Sequence, residues 1–303
     1  MQRRVAEAAL EREVMARKLA GKMVVEKMAD GIKERIAALA ERGVTPTLAI
    51  VRVGERPDDL SYERTALRRA EALGVAVRSV ALAADATEDE LACAIERMNA
   101  DASIHGCLLF RPLPKSMDEM RICDMLAAEK DIDGIARTSL AGVFTDDPTV
   151  FPPSTAQACL EVLDAYDIDV AGKHVVVIGR SLVVGKPVAM MLLGRHASVT
   201  ICHSRTERLD EICREADIVI CATGRARAFG ATYFRAGQTV LDVGINFDEA
   251  GKLCGDVDYE AVEPIVDAIT PVPGGVGSVT TSVTMMHTVR AAERAARSAE
   301  RPT

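Results

Sequence analysis

The sequence predicts an α/β protein of two domains, each built on a parallel sheet. Three observations predict it. The chain has 303 residues, long for one typical domain and short for three. Short apolar runs alternate with helical patterns, which is how parallel strands joined by right-handed crossovers read. Aromatic residues make up 3% of the chain and hydrophobic residues 49%, so aliphatic side chains and alanine must fill the core, as in buried parallel strands.

Residues 5–42 are predicted helical, because Val24, Met28, Ile32, Ile36 and Leu39 recur at helical spacing and Gly43 follows as a stop. Residues 1–18 read as an added or frayed extension of that helix. Thr47–Val53 reads as a buried strand, 58–73 as helix, Val75–Leu82 as a second strand, Glu88–Met98 as helix and Gly106–Leu109 as a third strand. The stretch 142–157 is rich in Gly, Pro and Thr and places a domain boundary near residue 150. A second series follows, with strands at His174–Ile178, Ser198–Cys202, Ile218–Cys221 and Thr239–Val243 and a helix at Gly185–Leu193. A Pro/Gly-rich loop, Thr270-Pro-Val-Pro-Gly-Gly-Val-Gly277, precedes a last helix over 280–297. The expected division is residues 1–150 plus the C-terminal helix 278–303 as one domain and 151–277 as the other.

Composition excludes several classes. The net charge is −8, which argues against a general nucleic-acid binder. No apolar run reaches the ~18 residues of a membrane span, and the first residues lack an apolar signal core; a cytoplasmic protein is expected. None of the eight cysteines is spaced C-x-x-C, so a metal site has no support and buried free thiols are expected.

The second domain carries a nucleotide signal. Val175-Val-Val-Ile-Gly-Arg-Ser-Leu-Val-Val-Gly185 is a buried strand, a glycine turn and a helix start, an arrangement that presents free N–H groups to a phosphate. The spacing is not G-x-G-x-x-G, so by itself it is a weak fingerprint. The next strand ends His203-Ser204-Arg205-Thr206, without the acid that holds a ribose 2′-hydroxyl. With Arg180 in the turn, this favours the 2′-phosphate of NADP, NAD remaining the alternative. His203 reads as a packing or locally hydrogen-bonded residue.

Several unlinked motifs in one order carry a resemblance. They are Lys130-Asp-Ile-Asp-Gly134, Gly179-Arg-Ser-x-x-Val-Gly-x-Pro187, Cys202-His-Ser-x-Thr206, Asp242-x-Gly-Ile-Asn246, Gly255-Asp-Val257 and the 270–277 loop. From about Leu19 to Val289 the chain resembles the methylenetetrahydrofolate dehydrogenase/methenyltetrahydrofolate cyclohydrolase (FolD) family. The resemblance implies an N-terminal catalytic domain, a Rossmann-type NADP-binding domain, a folate cleft between them and a homodimer. It implies oxidation of 5,10-methylenetetrahydrofolate with NADP, followed in most members by hydrolysis to 10-formyltetrahydrofolate. It assigns Gly179, Arg180, Ser181, Ser204 and Ile245 to the cofactor, with Thr155 near it at the domain junction. Asp133 is assigned to the pterin, whose amino-pyrimidinone edge a carboxylate can accept bidentately. Tyr62 is assigned to packing on the folate, and Pro271, Gly274 and Gly275 to close backbone approach.

Two departures stand out. The family's folate motif is Tyr, three residues, Lys, one residue, Lys; here Tyr62 matches, Ala66 takes the active-site Lys position and Arg68 the second Lys. The third strand's exit usually reads Gly-Ile-Leu-Val-Gln-Leu-Pro-Leu-Pro; here it is Gly106-Cys-Leu-Leu-Phe-Arg-Pro-Leu-Pro114, with Phe110 for the Gln that partners the Lys. Ser278 and Val279 also replace a common Pro-Met. Hydride transfer needs mainly positioning, whereas methenyl hydrolysis needs proton transfer that alanine cannot supply and an always-protonated arginine supplies poorly. The expectation is therefore a dehydrogenase with weak or absent cyclohydrolase, served by a separate cyclohydrolase. The alternatives are an ordinary bifunctional enzyme, a non-catalytic folate- or nucleotide-binding subunit, and a different dehydrogenase acting on a small acid.

Overall fold

The structure is a computed structural model and describes residues 15–300. The chain opens with β1 (Arg17–Lys18) and α1 (Gly21–Glu41), then β2 (Thr47–Val53), α2 (Pro57–Leu73), β3 (Ala76–Leu82), α3 (Glu88–Ala100) and β4 (Gly106–Leu109). Three helices follow, α4 (Glu119–Asp124), α5 (Arg137–Phe144) and α6 (Ser154–Ala165). The second series is β5 (His174–Ile178), α7 (Gly185–Gly194), β6 (Ser198–Cys202), α8 (Leu209–Glu215), β7 (Ile218–Cys221) and β8 (Thr239–Asp242). The hairpin β9 (Asn246–Phe247) and β10 (Leu253–Cys254), α9 (Tyr259–Val262), β11 (Ala268–Ile269) and α10 (Thr280–Ala299) complete it.

Two parallel sheets result. The smaller has the order β3-β2-β4, the larger β1-β11-β8-β7-β5-β6. Each central strand is apolar on both faces, as the alternation of side chains across a buried parallel strand requires. Leu48 and Ile50 of β2 face one core, Ala49, Val51 and Val53 another; Val175 and Val177 of β5 join the first of these cores, Val176 and Ile178 a third. The shared core also takes in Leu39 of α1, Leu163 of α6 and Val283 and Val289 of α10. These three helices thus form a common layer between the sheets. Helix α10 packs on α1, α2, α6, β2 and β4.

The predicted start of the first helix is corrected. Residues 15–20 are extended, with Arg17 and Lys18 pairing in parallel with Ala268 and Ile269; residues 1–14 of the predicted helix lie outside the described residues. Ala20 is extended, and the Leu19 amide donates to the Ile269 carbonyl at 2.8 Å. A sheet edge recruits this segment, which local helical spacing does not foretell. Seven cysteines are buried free thiols, but Cys93 is exposed. No described helix is long and apolar enough to cross a membrane.

Candidate active site

The carboxyl ends of parallel strands are where such sheets bind ligands. At the exit of β4, Phe110 and Arg111 join Tyr62 and Asp59 of α2, Asp133, Thr155 and Thr280 around a cavity of about 290 Å³. Tyr62 and Phe110 stack obliquely there, with ring centroids 5.5 Å apart. Burial pushes the Tyr62 phenol up, and Asp133 adds to the shift. At neutral pH it is therefore an O–H donor.

Asp133 is held at a constrained turn. Gly134 has φ of +60°, and a Cβ there would meet the Phe151 carbonyl at 2.6 Å, so only glycine fits. The Ser154 amide donates to Asp133 Oδ1 at 3.3 Å. Burial raises the Asp133 carboxyl, while Ser154 and the positive charge of Arg111 oppose it. The carbonyl of the preceding Ile132 lies 2.8 Å from His287 Nδ1 of α10. The neighbouring motif residues build the scaffold. Lys130 Nζ donates to the carbonyls of Met98, Asn99 and Asp101 at 2.8 Å each. Fully buried Asp131 accepts from the amides of Ile135 and Ala136 and from Ser139 Oγ.

Ala66 does not reach the cavity. It is fully buried within the shared core, one turn below Tyr62 on α2. Phe110 does reach it, 6% exposed. The positions expected to be lysine and glutamine are thus both apolar and both packed.

The second cluster sits where the order of the larger sheet reverses, around β5. Gly179 follows β5 with φ of +132°, and a Cβ there would lie 2.2 Å from the Ala222 carbonyl beyond β7. Arg180, Ser181 and Ser204 are exposed beside it. Ser181 Oγ accepts from the Val184 amide at 3.1 Å, shaping the start of α7. A glycine turn with close backbone approach, an exposed cation and hydroxyls next to it, and no acid at the exit of β6 fit a phosphorylated dinucleotide. His203 is bonded locally: its amide donates to Thr206 Oγ1 and its Nδ1 accepts from the Arg205 amide.

Ile245 is 65% exposed and lies 3.4 Å from the position a Cβ would take at Gly277, so it borders the 270–277 loop. Its segment is braced by Asp242, which accepts from the amides of Gly244, Asp256 and Val257, and by Asp256, which accepts from Asn246 Nδ2. The loop itself is pinned by the first residue of α1, whose Gly21 amide donates to the Gly274 carbonyl at 2.8 Å. Gly275 packs tightly on the Pro271 carbonyl. Pro271 lines a separate cavity of about 260 Å³, with Lys18, Arg227 and Asp242.

Residues 153–296 match the tetrahydrofolate dehydrogenase/cyclohydrolase NAD(P)-binding domain, and residues 19–133 match the catalytic domain of the same family. The chain belongs to this family. It is 50% identical to the bifunctional protein FolD of Carboxydothermus hydrogenoformans, over 92% of this chain and 98% of the relative. It superposes on the bifunctional FolD of Campylobacter jejuni with a TM-score of 0.89, at 35% identity over 91% of this chain and 98% of that one. The Trypanosoma brucei FolD, solved with NADP cofactor and an inhibitor, aligns with a TM-score of 0.88 at 31% identity, covering 93% and 99%. The chain is thus a FolD-family α/β enzyme of the methylenetetrahydrofolate dehydrogenase/cyclohydrolase type, with catalytic and NAD(P)-binding domains.

Sequence reasoning missed Arg111, Asp58, Asp59 and Thr280, which line the cavity, and His287, which bonds the carbonyl of the residue before Asp133. The strand pattern hides Arg111, which falls two residues past the end of β4, after Phe110. His287 sits in an otherwise unremarked C-terminal helix.

Proposed function

We propose that this chain oxidises 5,10-methylenetetrahydrofolate to the 5,10-methenyl compound with NADP and goes on to hydrolyse it to 10-formyltetrahydrofolate. One observation carries the folate half: Tyr62, Asp133 and Thr155, far apart in sequence, line one cavity at the exit of β4. Asp133 accepts hydrogen bonds from the pterin, and Tyr62 packs on it as a protonated phenol. Phe110 and the loop through Gly274 and Gly275 exclude water and fix the reacting carbon. Gly179, Arg180, Ser181 and Ser204 hold the dinucleotide, Arg180 and Ser204 favouring the 2′-phosphate. Ile245 and Thr155 border it. NADP, when bound, supplies the hydride acceptor. We assign residues 1–150 with the 278–303 helix to folate and 151–277 to the dinucleotide, and a homodimer acting in the cytoplasm.

The relatives' names favour this bifunctional reading over the sequence-based expectation of weak or absent hydrolysis. A specific observation favours a second reading, with hydrolysis weakened: Ala66 is sealed in the core and Phe110 is packed on Tyr62, leaving no lysine–glutamine pair to move protons. The test is a spectrophotometric assay following methenyl and reduced-nucleotide absorbance separately. Reduced nucleotide rising without methenyl supports the bifunctional reading. Both rising together supports the second, and neither rising overturns both.

A further inference from the structure

Two residues alone are shared by the 290 Å³ cavity and an adjoining cavity of about 370 Å³ that runs to Pro153, Leu182 and Val183: Arg111 and Asp133. Both residues line both cavities, yet they form no ion pair with each other among the described residues. The Arg111 side chain is 24% exposed, and the carboxylate it approaches, Glu119 Oε1, is 3.8 Å away, beyond hydrogen-bond range. The other oxygen of that carboxylate accepts from the Leu113 amide at 2.8 Å. Arg111 therefore makes no hydrogen bond among the described residues, and its fork of N–H donors is free for a ligand that brings an acceptor.

We propose that Arg111 is a specificity-determining residue that reads the 4-oxo group of the pterin, opposite Asp133. This rests on the folate reading above and deepens it. A 2-amino-4-oxopteridine presents two N–H donors and one carbonyl acceptor along a single edge. A carboxylate matches the two donors, and a guanidinium matches the acceptor. Because Arg111 and Asp133 line one cavity without pairing with each other, both groups are available to one flat ligand. The same pairing discriminates against a 2,4-diaminopteridine, which would turn an amino group toward the arginine. It also returns a cation to a cleft in which Ala66 supplies none.

The test measures dissociation constants of the full chain for tetrahydrofolate, tetrahydropteroate and methotrexate, with NADP as a control for folding. Arg111→Met is expected to weaken tetrahydrofolate and tetrahydropteroate alike by about tenfold to a hundredfold, to narrow the preference over methotrexate and to leave NADP unchanged. Arg111→Lys is expected to lose less than Arg111→Met. Weakening confined to tetrahydrofolate would move Arg111 to the glutamate tail and overturn the assignment. Unchanged tetrahydrofolate binding, or equal losses for tetrahydrofolate and NADP in both variants, would overturn it too. A wild-type chain that binds no tetrahydrofolate overturns the folate reading itself and this assignment with it.

Discussion

The rings of Tyr62 and Phe110 lie 5.5 Å apart at an interplanar angle of 56°, and Phe110 occupies the position where the family resemblance leads one to expect a glutamine. Restoring the lysine–glutamine pair tests the reading of weakened hydrolysis. Ala66→Lys alone buries an unpaired ammonium and is expected to cost about 3–5 kcal/mol in a denaturant titration. Combined with Phe110→Gln, part of that loss should return. Under weakened hydrolysis, the double variant should also release 10-formyltetrahydrofolate faster relative to oxidation, toward the ~10²–10⁴-fold that general acid–base help is worth. An unchanged product ratio in a folded double variant would contradict it.

His287 predicts a pH dependence of stability. Its Nδ1 lies 2.8 Å from the Ile132 carbonyl, an acceptor, so Nδ1 carries the proton; Nε2 is buried without a partner. Burial pushes the imidazole down to about 3. The unfolded chain binds a proton near pH 6.5 that the native chain refuses. His287 therefore costs nothing above about pH 6.5, and stability falls as pH drops from there toward 3, by up to about 1.4 kcal/mol per unit. Asp242, pushed up to about 6 by burial, acts in the opposite sense, since its native form keeps a proton that the unfolded chain loses. His287→Asn keeps an N–H donor for Ile132 and removes the titration. Chemical denaturation between pH 4 and 7 should show a flatter acid limb in the variant; identical slopes would refute the account.

Two residues of one motif should behave oppositely. Lys130 closes three backbone carbonyls, so Lys130→Met should lower the midpoint of thermal unfolding by several degrees while leaving the KM for folate unchanged below it. Asp133→Asn exchanges an acceptor for a donor and should raise that KM about tenfold or more with little change in unfolding. Steady-state kinetics beside calorimetry separates the two. The reverse pattern would reassign the motif.

Arg180→Ala should raise the KM for NADP by about tenfold to a hundredfold, as expected for a lost charge-assisted hydrogen bond, and leave the KM for NAD nearly unchanged. Equal effects on both nucleotides would mean that Arg180 does not contact the 2′-phosphate.

Much of this was legible before the fold was known, because strand runs such as Val175–Ile178 and turns such as Gly179 carry their own signals. Short elements were not. Residues Arg17 and Lys18 become a strand only because Ala268 and Ile269 offer an open edge, and the hairpin of Asn246–Phe247 with Leu253–Cys254 is too brief to show periodicity. At the candidate site, motif spacing points to Tyr62 and Asp133, which line one cavity. Arg111 and His287 carry no such signal, since what marks them is the partners they lack, which only three-dimensional packing reveals.

The most direct test of the central claim is the dehydrogenase assay on the wild-type chain, with 5,10-methylenetetrahydrofolate and NADP in a buffer where spontaneous methenyl hydrolysis is slow. The account predicts reduced nucleotide formed in proportion to folate oxidised, with NADP strongly preferred over NAD. No reduced nucleotide with either cofactor would contradict it.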